Sequence, residues 1–280
     1  MSRTTESPKK HVPVFSFWAD RISSVKRNKQ LIGQLLYLGL TEQYKKTILG
    51  SLWLVIYPLL SIFIWLIMNY SGIYNPGDTG IPYVGYILLS MSIWIFFTSF
   101  FKHLATSVTE SGRMLLEAPF EMEAKIVEKV LLTCVNFAIP LTLNIIVLLV
   151  MGVRFDWQAL LFLPALIPLM LTGISIGVFF SLIEVVFNDI FLIVNQGMTV
   201  LMFLTPVVYS KNVESEFLQT VIKYNPLSYL IDLPRNLLIG GDVGDLTGYW
   251  IATAVAVVSF IAVIHFFFNS VYKIVERIFE

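Results

Sequence analysis

A helix that crosses the hydrocarbon core of a bilayer needs about 20 consecutive, mostly apolar residues. Six stretches of this chain meet that length: 50–70, 84–103, 130–152, 159–183, 190–209 and 249–268. Inside lipid every backbone amide must be paired within the protein, so runs of this length specify helices rather than exposed loops or open sheet edges. Composition points the same way. Only 14% of the 280 residues are charged, where a soluble domain of this size carries roughly 25%. The expected fold class is therefore all-α: an integral membrane protein with six transmembrane helices, preceded by an N-terminal amphipathic interface helix and carrying short re-entrant outer helices before the last span.

Lysine and arginine set the orientation, because cytoplasmic loops hold an excess of them. Fifteen fall in the N-terminal segment, the connection between spans two and three, and the C-terminal tail; four fall on the opposite side. Both termini are expected in the cytoplasm, and no cleavable leader is expected ahead of the first span. Net charge is zero, which gives nucleic-acid binding no support. The single cysteine, Cys134, lies in an apolar run and reads as a small buried hydrophobe rather than a reactive thiol.

Three connections carry the organisation. Residues 1–29 read as a cytoplasmic tail, and 30–280 as the transmembrane domain. Within 31–44, Leu31, Ile32, Leu35, Leu36, Leu40 and Tyr44 share one helical face, flanked by Lys26, Arg27, Lys29, Lys45 and Lys46. A basic amphipathic helix beside a span lies in the interface plane, and Lys45 and Lys46 are also placed to touch a partner. The inner segment 105–129 is charged and helix-compatible, broken at Pro119. It reads either as a solvated linker or as the point where a cytoplasmic partner pushes, through Glu110, Arg113, Glu117, Glu121 and Glu123. On the outer side, 214–240 forms two apolar runs, one stopped at Asn225-Pro226 and one interrupted by Pro234 and stopped at Gly240-Gly241. Each is too short to span, and re-entrant half-helices that line or lid a cavity fit them.

No site for energy conversion emerges. A Gly-x-x-x-x-Gly-Lys-Ser/Thr loop is missing, and no Gly precedes Lys anywhere, so a Walker A nucleotide site is excluded. His11, His103 and His265 are far apart in sequence, and no metal-ligand spacing occurs. Ionisable residues inside spans mark function by default, and here they are sparse: Glu184 and Asp189 flank an inner turn, and His265 stands alone in span six. Asn136, Asn144, Asn195 and Gln196 read as hydrogen bonds between helices. Aromatic residues crowd the ends of the spans and span two. Interfacial belts account for most of them, while Trp53, Tyr57, Phe96 and Phe100 are candidates for lining a pore in which ring faces stack on sugar rings.

Four motifs in order resemble a known family. Residues 44–60, YKKTILGSLWLVIYPLL, resemble the start of span one in the membrane subunits of bacterial polysaccharide-exporting ABC transporters. Phe187-Asn188-Asp189-Ile190 resembles their inner turn, with Asn188 where Arg is usual. Leu204-Thr205-Pro206-Val207-Val208-Tyr209 is similar to their end of span five. Tyr224-Asn225-Pro226-Leu227, followed by Arg235, is similar to their outer gate helices. The resemblance implies a half-transporter that works as a homodimer with two copies of a separate ATPase, exporting O-antigen, capsule or teichoic-acid chains on a lipid carrier across the cytoplasmic membrane. It implies that Tyr224, Asn225, Pro226 and Arg235 fix the outer gate within 214–240, that the interface helix and the segment 105–129 contact the ATPase, and that ATP and Mg are bound by that partner, with no cofactor on this chain. Two other readings stand beside O-antigen export: a drug, lipid or haem exporter subunit of the same fold, and a membrane transferase or structural partner. A transferase would gather acids and bases at one interface, and no such cluster is evident.

Overall fold

The computed structural model describes residues 14–42, 47–111, 121–212 and 215–279. These residues form helices and connections, with no strand among them. In chain order the helices are α1 (Val14–Arg27), α2 (Lys29–Glu42), α3 (Trp53–Tyr70), α4 (Tyr83–Ala105), α5 (Met122–Val150), α6 (Phe162–Ala165), α7 (Ile167–Glu184), α8 (Asn188–Phe203), α9 (Glu216–Tyr224), α10 (Pro226–Ile239) and α11 (Leu246–Phe279).

Helix α4 is the axis of the bundle. It is apolar on every side, and a helix of that kind must be surrounded; Ile87, Phe97, Phe100 and Phe101 are completely buried. Its hydroxyl residues turn back onto their own helix, Ser90 Oγ to the Tyr86 carbonyl and Ser92 Oγ to the Leu88 carbonyl, each at 2.8 Å. The most extensive packing joins α4 to α7, and α7 to α11. The first seam is close because Gly173 and Gly177 stand four apart on α7. A Cβ at Gly177 would lie 2.8 Å from Leu104 Cβ and 2.9 Å from the Phe100 carbonyl oxygen, the small-residue contact by which membrane helices approach. Helix α3 is bound more loosely, touching α4 and α5 and exposing Leu60, Phe63, Ile64 and Ile67 outward.

Among the described residues, five segments are long and apolar enough to cross a membrane: Gly50–Tyr70, Tyr83–Ala105, Met122–Val150, Trp157–Glu184 and Leu246–Arg277. The sixth expected span, fifth in chain order, is not confirmed by helix length. There α8 has 16 residues, about 24 Å at 1.5 Å per residue, short of the roughly 30 Å of hydrocarbon. The cause lies in Thr205-Pro206. Proline has no amide to continue the helix, and the chain unwinds from Leu204 onward. The fourth segment is also irregular, a 3-10 turn at Trp157–Leu161 leading through α6 into α7.

Three further features differ from the sequence reading or refine it. The stretch read as an N-terminal tail contains α1, which packs on α5 and seats Phe17 against His265 and Phe268 at ring distances of 4.9 and 6.3 Å. The lone histidine of the last span is thus an aromatic contact. Pro234 sits inside α10 without interrupting it. Helix α5 ends where Gly152, at φ +81°, lets the Gly152 and Val153 amides reach the Leu149 and Leu148 carbonyls, a left-handed C-terminal cap that glycine adopts without strain.

Candidate functional site

Between α3, α4 and α5 lies a cavity of about 260 Å³. Pro58 and Pro140 help keep it open, being the two helix-interior prolines on its walls. Of the four residues proposed for a pore, Trp53, Tyr57 and Phe96 line this cavity together. Phe100 does not; it is fully buried behind them, its ring 4.7 Å from that of Phe96 and against the Gly173 seam. Phe137 completes the aromatic wall, stacked on Phe96 at 4.2 Å.

The same walls carry polar residues that the sequence reading did not assemble: Ser92, Ser99, His103, Thr133 and Asn136. Their hydrogen-bond pattern fixes one acceptor. The Thr133 hydroxyl donates to the Lys129 carbonyl at 2.9 Å, so its oxygen is left to accept from His103 Nδ1 at 2.8 Å. A neutral imidazole that donates from Nδ1 carries a lone pair on Nε2, and Nε2 takes no partner among the described residues. Nearby, Asn144 Nδ2 donates to Ser92 Oγ at 2.9 Å, joining α5 to α4. Aromatic rings and a hydroxyl-accepting nitrogen in one cavity suit a ring compound with apolar faces and hydroxyl edges. The sequence signal for the polar lining was residue spacing on two different helices, which becomes visible only when α4 and α5 are placed side by side.

The opposite end of the bundle carries a second cavity, of about 240 Å³. Arg235 is its deepest charge, 1% exposed. Its guanidinium donates to the Pro206 carbonyl at 2.8 Å and Ser90 Oγ at 3.2 Å, pairs with Asp232, and lies 4.3 Å from the centre of the Tyr86 ring. Asp232 is shared with Lys211 at 3.2 Å. A buried cation is tolerated only with this kind of partnership. Asn225 caps α10 by accepting from the Leu227 amide at 3.0 Å, with Pro226 at the first helical position. Its amide group also donates to the Leu204 carbonyl at 3.1 Å and Thr205 Oγ1 at 2.9 Å. Tyr224, by contrast, is exposed.

Together these residues tie down the unwound segment after α8. The Leu204 carbonyl accepts from Asn225, Pro206 from Arg235, Val208 from Tyr74 and Tyr83, and Tyr209 from Tyr86. Non-helical backbone at membrane depth is tolerated where protein lines it, and here side chains supply that lining one carbonyl at a time.

At the basic end, the acidic residues proposed for partner contact are engaged within the chain. Glu110 pairs with Lys129 at 2.8 Å and Lys125 at 3.6 Å. Burial pushes its carboxyl up, but the Lys129 hydrogen bond and charge, with Thr106 and Lys125, hold it below the usual range. Glu121 accepts from Ser24, from Arg27 at 2.7 Å and from Asn28 at 2.6 Å. Hydrogen bonding, from Ser24 foremost, keeps its carboxyl low as well. Glu123 is buried and paired with Arg21. Lys45, Lys46, Arg113 and Glu117 lie outside the described residues. No group of three metal-ligating side chains occurs among the described residues.

The ABC-2 type transporter family matches residues 31–239. An O-antigen export system permease protein RfbA of Klebsiella pneumoniae is 24% identical over 209 residues, covering 72% of this chain and 77% of the relative. A second RfbA permease from that organism is 23% identical over 211 residues, covering 73% and 78%. An O-antigen export permease RfbA of Myxococcus xanthus is 23% identical over 180 residues, covering 64% of this chain and 68% of its own length.

Proposed function

This chain belongs to the ABC-2 type transporter family, and from that premise we propose that it is the membrane half of an ATP-driven exporter of a polysaccharide carried on a lipid, O-antigen first among the candidates. A member of this family is a multi-pass permease subunit of a transporter and not an enzyme. The observation that carries the cargo assignment is the shared name of the relatives, all O-antigen export permeases matched over most of the chain. The cavity behind α3 supports it. Trp53, Tyr57 and Phe96 line that cavity together with His103, and stacking plus hydroxyl acceptance is the chemistry that holds a pyranose while leaving it free to move on.

In this reading two copies of the chain sit in the cytoplasmic membrane with both termini inside, as the distribution of basic residues favours. Two copies of a separate ATPase bind ATP and Mg and push from below on the segment 105–129 and the interface helix. Tyr224, Asn225, Pro226 and Arg235 belong to the outer gate. Deleting the gene in its own host should remove the surface polysaccharide and leave the glycan, still on its lipid carrier, on the cytoplasmic side; restoring the chain should reverse both. Unchanged surface glycan with an altered drug or phospholipid distribution would overturn the cargo in favour of another exporter of this fold.

A further inference from the structure

Where α1 and α2 meet the first turns of α5, an apolar groove of about 630 Å³ runs between Val25, Ile32, Leu36, Val127 and Leu131. It adjoins a second apolar cavity of about 330 Å³ that shares Val25, Lys26 and Val127 and ends on Trp18 and Phe268. The groove is kept open by Gly33, where an added Cβ would meet nothing within 4 Å.

Its charge is one-sided. Exposed Lys26 and Lys29 complete the lining. The other cations of this region are already neutralised, Arg21 by Glu123 and Arg27 by Glu121, whereas Lys26 and Lys29 form no ion pair among the described residues. Val127 and Leu131 straddle residue 130, where the sequence places the start of the third apolar span. The apolar part of the groove therefore lies at the hydrocarbon boundary, and the ammonium groups beside it lie at headgroup level.

We propose that this groove is a binding site for one anionic phospholipid, its acyl chain between α2 and α5 and its phosphate held by Lys26 and Lys29. An apolar slot closed by two free cations matches an amphiphile with a negative head, and basic pockets between helices on the cytoplasmic side take such lipids. The bound lipid would join the interface helices to the bundle where their direct contact leaves a gap.

The test is native mass spectrometry of the full chain in a mild detergent, titrated with dioleoyl phosphatidylglycerol or dioleoyl phosphatidylethanolamine. The wild-type chain is expected to retain one phosphatidylglycerol per chain, preferred by about tenfold given two lysines near the headgroup. Lys26→Gln with Lys29→Gln should erase the preference, and Lys26→Arg with Lys29→Arg should keep it. Gly33→Trp fills the groove without weakening the helix, since glycine is the poorer helix former, and should abolish retention of both lipids. Size-exclusion profile and helical content establish that each variant is folded. Equal retention of the two lipids by the wild-type chain would overturn the proposal. So would phosphatidylglycerol retention that survives Gly33→Trp, which is adventitious surface charge only, or a copurifying polyprenyl diphosphate in place of phospholipid.

Discussion

Removing Asp232 should harm the protein more than removing Arg235. Without Asp232, a guanidinium that is 1% exposed loses its counter-charge, a situation that costs about 3–5 kcal/mol. Arg235→Met keeps the volume and leaves Asp232 with Lys211, so the main loss is the donor to the Pro206 carbonyl, about 1–3 kcal/mol. Thermal unfolding of Asp232→Ala and Arg235→Met in detergent would order the two. Glu121 makes the attachment of α1 pH-dependent. Its carboxyl is held low by Ser24, Arg27 and Asn28, so the contribution is fully present above the ordinary carboxylate range and is lost as pH falls through the depressed value. Amide protection of α1, taken relative to the intrinsic exchange rate at each pH, should fall on acidification below the ordinary carboxylate range, and Glu121→Gln should flatten that response. At this scale the sequence was a partial guide. Trp53, Tyr57 and Phe96 were legible because their ring chemistry is intrinsic, whereas His103 read as a residue ending a span. What it offers depends on Thr133, thirty positions away on another helix.

Helices were legible where apolar length alone decides them, and illegible where a neighbour decides. Five long segments follow from composition, but a window average passes over Pro206, which ends α8, and does not contain the side chains of α4 and α10 that pair the carbonyls beyond it. Helix α1 was missed for the same reason: its apolar face is narrow, and it becomes a packing element only because Phe17 and Arg21 meet Phe268. The α4–α7 seam gives the sharpest test at this level. Gly177→Val places carbon within contact of the Phe100 backbone, which cannot move aside, so α4 and α7 must part. Overpacking of this kind costs typically 1–3 kcal/mol, and the variant should melt earlier than Gly33→Ala, whose Cβ meets open space. Asn225→Ala should lose the cap on α10, worth about 1 kcal/mol, and release the Leu204 carbonyl as well.

Across the whole molecule, the two ends are held by different means, ion pairs between helices at the basic end and, at the other, side chains on carbonyls around the Arg235–Asp232–Lys211 pairs. Charge reversal at Glu121 or Glu123 therefore disturbs the attachment of α1 as well as any partner contact. Under the proposed function, in proteoliposomes with the partner ATPase, His103→Phe should slow export by about tenfold, the worth of one hydrogen bond to a hydroxyl, while ATP turnover persists. The unwound stretch from Leu204 to Tyr209 has a mechanical consequence. A helix breaks cooperatively, because each turn supports the next. Here the carbonyls of Leu204, Pro206, Val208 and Tyr209 are held by separate side-chain donors, so the stretch can be unfastened like a row of separate buttons. Movement at that end can proceed in small reversible increments, and a passage that widens by increments can follow the changing girth of whatever passes through it.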